Sequence, residues 1–206
     1  MISVFAIIIF LFSVILHEVA HGAMAERLGD PTARLAGRLS LNPLVHLDPI
    51  GSLLLPLLLI LTGSNIIFGW AKPVPINPLN FRDRKYGSAK SALAGPGANI
   101  AVAVVFGLIL RFAPLAGTSF GQNLASIFGL IVWINLLLAV FNLIPIPPLD
   151  GSHILFTFLP RGFDNLKLFL ARYGFFILLF FIFFLFPIII PIIEFLFSLI
   201  VGLPFA

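Results

Sequence analysis

The chain has 206 residues, of which 60% are hydrophobic and only 10% charged, with a mean hydropathy of +1.15. A soluble domain carries roughly 25% charged residues, so a water-soluble globule, a disordered chain and a coiled coil are excluded. The net charge of +4 is too small for the dense basic stripe of a nucleic-acid binder, and the absence of Cys removes disulfides, thiolate zinc sites and iron–sulfur clusters.

What remains is an all-α polytopic membrane protein, one membrane-embedded domain over 1–206 in contact with a lipid bilayer. About 20 mostly apolar residues cross a bilayer core as a helix. Ile2–Leu28 is the first such stretch. No Lys or Arg precedes its apolar run, and cleavage after Ala23-Met24-Ala25 would discard its unusual polar residues, so it is predicted to be a span and not a removed leader. Ile50–Thr62, at 13 residues, is short for a span and suits a re-entrant or partly inserted helix. Ile66–Pro78, rich in β-branched residues, Gly, Trp and Pro, is predicted to be an extended loop. Ser88–Ala113 and Gln122–Phe141 are further spans, the first carrying Gly95-Pro96-Gly97. Asn142–Leu159 holds Pro145, Pro147, Pro148 and Gly151 and cannot be regular helix throughout. Leu166–Leu203 as one helix would measure about 57 Å, nearly twice the hydrocarbon thickness. A hairpin turning near Phe186–Pro191 is therefore expected, which makes about five transmembrane helices. The core falls in 2–159 and the C-terminal helical hairpin in 166–204.

With Ile50–Thr62 not crossing, 11 of the 12 basic residues share one side and only Arg111 faces the other. The positive-inside rule then places the N-terminus outside and the loops in the cytoplasm.

His17-Glu18-Val19-Ala20-His21 is an H-E-x-x-H motif. Helical positions four apart differ by about 40° in direction, so both imidazoles face one point while the glutamate swings aside. This suits two metal ligands and a glutamate able to reach a nearby water, the donor set of a zinc hydrolase. From Ile2, His17 lies about 22 Å along the helix, inside the hydrocarbon, where ionisable groups are costly.

Zinc takes a third protein ligand in such sites. Glu26, Asp30, Asp83 and Asp164 sit in charged loop contexts and are predicted to be solvated. Glu194 suits a helix N-terminus at the outer interface. Asp48 and Asp150 remain. Asp150 sits between Pro147-Pro148-Leu149 and Gly151, a rigid turn presenting one carboxylate. Asp48 is equally explained as a cap of the helix that follows it. His46 is predicted to be an interfacial loop residue, and His153 to point away if helix begins at Gly151.

On these residues the chain resembles the site-2 protease family of intramembrane zinc metalloproteases, in particular its small prokaryotic members. His17–His21 is similar to the family's H-E-x-x-H helix, and Asn142–Gly151 to its N-x-x-P-x-x-x-L-D-G segment. Ala94–Asn99 resembles the Gly-Pro helix start between the two, and Gly69–Pro75 resembles small prokaryotic members. The resemblance implies one Zn2+ held by His17, His21 and Asp150, Glu18 as catalytic base, and Asn142 touching substrate or oxyanion. It implies a transmembrane protein or peptide as substrate, a prokaryotic cell membrane as location, and an active site toward the cytoplasmic side. The extended loop would offer an edge to an unwound substrate. The PDZ-like and nucleotide-sensing domains of larger members have no counterpart here.

Two other classes compete. Zinc carriers similar to the ZIP family place H-E-x-P-H-E in a membrane helix, but here Ala20 and Gly22 replace the proline and second glutamate. The other spans offer only Asn99 and Asn135 as stepping stones. A non-catalytic scaffold would have no use for Glu18 beside two ligands.

Overall fold

The computed structural model describes residues 2–48, 54, 58, 61–62, 72–113 and 118–202. Among these the regular structure is all helical, without strands. Helix α1 spans Ile2–Arg27, α2 Thr32–Leu35, α3 Gly87–Phe112, α4 Ser119–Asn142, α5 Asp150–Phe158, α6 Asp164–Phe180 and α7 Ile190–Val201. Four helical runs are long and apolar enough to cross a membrane: α1, α3, α4 and the run Asp164–Ile188, in which α6 continues through a π and a 3-10 turn. The break before α7 falls at 186–189, which holds Pro187, and Pro191 is the second residue of α7. With 12 residues, α7 is about 18 Å long and shorter than a full span. Of the short apolar stretch Ile50–Thr62, only residues 54, 58, 61 and 62 lie inside the described part, so the re-entrant expectation falls outside it.

Helix α3 is the centre of the bundle. It packs against α1 on one side and α4 on another, while α5 lies on its first turns and α7 on its last. A buried apolar cluster joins α3, α4 and α7 through Ala103, Val132, Leu136, Ile193, Phe197 and Val201, with Ile189 just before α7. The turn that leads into α7 starts at Phe186, beside Phe141, and near the other end of α7 the Leu199 carbonyl accepts from Arg111 Nη1 at 3.0 Å. The N-terminus of α7 therefore lies away from the Arg111 end, and Glu194 is not an N-terminal carboxylate at that interface.

The span expected over Ser88–Ala113 is observed as α3, which begins eight residues before Gly95 and runs through Pro96; the likeness of Ala94–Asn99 to a helix start is not matched by a start there. A proline inside a membrane helix is tolerated where neighbouring helices cover the freed backbone, and Pro96 is fully buried here. Asp30 is not solvated. It is 0% exposed and accepts from Thr32 N, Thr32 Oγ1, Asn77 N and Asn80 Nδ2. Burial pushes its carboxyl up, but the accepted hydrogen bonds, led by Thr32, outweigh this and hold it below the usual carboxylate range. Its contribution to stability is present above the unfolded value, about pH 4, and is lost as pH falls through the lower folded one.

Glu26, Asp83 and Asp164 do lie at the loops, paired with Arg34, Lys90 and Lys167.

Ile193, with no exposure, fills the centre of the apolar cluster. Ile193→Ala is expected to lower stability in detergent micelles by about 2–3 kcal/mol, measured by thermal unfolding, and to leave metal content unchanged.

Candidate metal centre

One turn of α1 presents His17 and His21, both buried, on the face packed against α3. Their Nε2 atoms lie 3.0 Å apart. Asp150, the first residue of α5, places Oδ2 at 3.1 Å from His17 Nε2 and 3.2 Å from His21 Nε2. Of the two carboxylates open at the sequence level, Asp150 joins the histidines and Asp48 does not.

The proton positions follow from the far side of each ring. His21 Nδ1 lies 2.7 Å from the Ser91 carbonyl, which can only accept, so Nδ1 carries the proton. His17 Nδ1 lies 2.7 Å from Asn99 Oδ1. Asn99 is held the right way round, because its Nδ2 donates to Ser13 O at 3.2 Å and Asn135 Oδ1 at 2.8 Å. Asn135 Nδ2 in turn donates to Ser13 Oγ at 2.9 Å and Ile131 O at 2.9 Å. In the neutral imidazoles both Nε2 atoms are thus bare lone pairs. Asp150 Oδ2 is also buried and accepts no hydrogen bond. Three acceptors converge with no donor among them. Such a cluster is repulsive unless a cation sits within it. A tetrahedral zinc with bonds of 2.0–2.1 Å needs ligand separations of about 3.3 Å, so the donor set and spacing fit zinc to within a few tenths of an ångström.

Two glycines allow this convergence. A Cβ on Gly95 would collide with His21 Nε2 and would stand 2.7 Å from His17 Cε1. A Cβ on Gly151 would collide with the Leu143 and Ile144 carbonyls, on which the turn before α5 closes.

A cavity of about 390 Å³ opens against the three acceptors. Glu18 lines it from α1, and Val74 N donates to Glu18 Oε2 at 2.9 Å, which leaves Oε1 for the cavity. Val74 belongs to the extended strap 72–77, the described part of the predicted loop; it carries no strand pairing. Asn142, the last residue of α4, also lines the cavity, although its Nδ2 donates back to Leu138 O at 2.9 Å. His153 lines the cavity as well, contrary to expectation. Helix α5 begins at Asp150, so His153 lies three positions on, on the same face. His46 is buried in the loop, with Nε2 at 2.7 Å from Ser40 O. Sequence reasoning missed the supporting roles of Asn99, Asn135, Ser13 and Val74. For the asparagines a signal existed: each is a lone polar side chain inside an apolar span.

Hydrogen-bond partners behind metal-binding imidazoles are commonly worth 10–100-fold in metal affinity. Asn99→Ala is expected to weaken zinc binding by about that factor, read by competition with a chelator, while the helical content stays unchanged.

The family model for "Peptidase family M50" matches residues 115–185. The Bacillus subtilis (strain 168) protein named "Putative zinc metalloprotease YwhC" is 34% identical over 179 residues, 85% of this chain and 78% of its own length. The like-named Rip2 of Mycolicibacterium smegmatis is 35% identical over 153 residues, covering 73% of this chain and 56% of Rip2. This chain thus spans just over half of Rip2. MJ0611 of Methanocaldococcus jannaschii, also so named, is 48% identical over 71 residues, 33% of each chain. No solved structure gives a significant match. By its similarity along most of YwhC, this membrane chain belongs to peptidase family M50, the site-2 protease family, and is a zinc metalloprotease.

Proposed function

We propose that this zinc metalloprotease hydrolyses peptide bonds within or near transmembrane segments of membrane proteins. The observation that carries the proposal is the meeting of His17, His21 and Asp150 with Glu18 on the wall of one cavity inside apolar helices. In this reading His17, His21 and Asp150 hold the zinc. Bound there, zinc supplies Lewis-acid polarisation and makes a water acidic enough to react near neutral pH. Glu18, with Oε2 held by the Val74 amide, takes a proton from the attacking water through Oε1 and passes it to the leaving amine. Asn142 binds the substrate carbonyl once its Nδ2 turns from Leu138 O toward the cavity. The substrate must leave the helical state at the cut, because a helix keeps its amides and carbonyls engaged.

The orientation belongs to the same proposal. Arg111 lies at one end of the bundle with the end of α7. Arg27, Arg82, Arg84, Lys85 and Lys90 flank the end of α1 and the start of α3, at the opposite end. Placing that basic end in the cytoplasm of a prokaryotic cell puts the cavity on the cytoplasmic side and the N-terminus outside.

The test pairs zinc content with cleavage of a reconstituted transmembrane peptide. Glu18→Gln is expected to keep one zinc per chain and to lose cleavage by at least about 10²–10⁴-fold. Equal cleavage by both forms would remove Glu18 as base. Asp150→Ala is expected to lose zinc and Asp48→Ala to retain it, and the reverse would exchange their assignments.

A further inference from the structure

Asp30 is a sealed carboxylate three residues beyond α1, outside the metal cluster and the cavity lining. Burying a charge is costly unless it is fully paired. A local turn would be satisfied by Thr32 alone. Two of its four donors instead come from 47 and 50 positions along the chain: Asn77 N at 2.7 Å on Oδ2, and Asn80 Nδ2 at 2.8 Å on Oδ1.

Those donors end the strap that reaches Glu18. At its other end Lys72 N donates to His46 O at 2.9 Å. Between the two anchors the Val74 amide holds Glu18 Oε2, and Val74 is itself buried. Pro73, Pro75 and Pro78 each fix one backbone dihedral. A strap so stiff and pinned at both ends transmits the position of Asn77 to Val74, about 10 Å away. We propose that Asp30 is a positioning residue: it latches the 72–80 strap so that the Val74 amide fixes one oxygen of Glu18 and aims the other at the cavity. This rests on Glu18 being the base.

Every group facing Asp30 is a donor or a hydroxyl. An asparagine of the same shape would turn an NH2 group against either the Asn77 amide or the Thr32 amide. Asp30→Asn is therefore the informative variant. Three quantities would be read on the full chain in micelles: bound zinc, amide exchange of segment 73–77, and kcat and KM for a reconstituted transmembrane peptide. Pro73 and Pro75 leave only Val74, Ile76 and Asn77 as amides within 73–77.

Asp30→Asn is expected to keep its zinc, to speed exchange in 73–77 by about 10-fold or more, and to lower kcat by a similar factor with little change in KM. Adding Asn80→Asp reverses the donor and acceptor of that pair and is expected to restore part of the kcat. Unchanged exchange in 73–77, or unchanged kcat, would overturn the latch. So would loss of zinc together with faster exchange across α1 and α3, which marks a general structural role. A wild type that cleaves nothing, yet shows the exchange contrast, would overturn the proposed cleavage and leave the latch on Glu18 standing.

Discussion

Two imidazole lone pairs and a carboxylate oxygen meet within about 3 Å inside an apolar bundle. Three acceptors so close are unfavourable without a cation, and much of the surrounding structure serves to hold them together. Each imidazole needs an acceptor behind it, and α3 supplies both, through the Asn99 side chain and the Ser91 carbonyl. The same helix must approach α1 closely, which is why Gly95 faces the two rings. Asn99 in turn needs its own orientation fixed, and Ser13 of α1 and Asn135 of α4 provide it. The polar network therefore ties three apolar helices to one imidazole, in a buried place where an unpaired polar group would be costly.

The cavity adds a second demand. On the proposed reading a peptide bond is cut by water, so water and an unwound segment would both have to reach the cavity between apolar helices. The strap 72–77 forms one wall without helix or strand pairing, and irregular backbone among such helices is stable only where it lines a cavity or is covered by protein. Three of its four amides, those of Lys72, Val74 and Asn77, donate to His46, Glu18 and Asp30. The wall of the cavity and the orientation of Glu18 are thus one piece of structure.

His17, Glu18 and His21 were legible because helical periodicity alone brings positions four apart to one face. Asp150 was legible as a candidate because prolines and a glycine mark a rigid turn, but choosing it over Asp48 required knowing which turn folds back onto α1. The spans were legible from length and apolarity to within a few residues. Apolarity without periodicity could not say how the Phe-rich C-terminal third packs, so the short α7 and the place of Glu194 were missed. Gly95-Pro96 misled because a proline that would break a soluble helix lies buried within a membrane one. Asp30 misled because a carboxylate among charged neighbours has the composition of a solvated loop. Its partners lie 47 and 50 residues away, and no local pattern announces them.

Zinc-edge X-ray absorption on the purified protein reads what surrounds the metal. Two imidazoles and one carboxylate oxygen are expected among ligands at about 2.0–2.1 Å, with the carboxylate lost in Asp150→Ala. A protein that holds no zinc, or a shell with a third imidazole from His46 or His153 in place of the carboxylate, would contradict this ligand set.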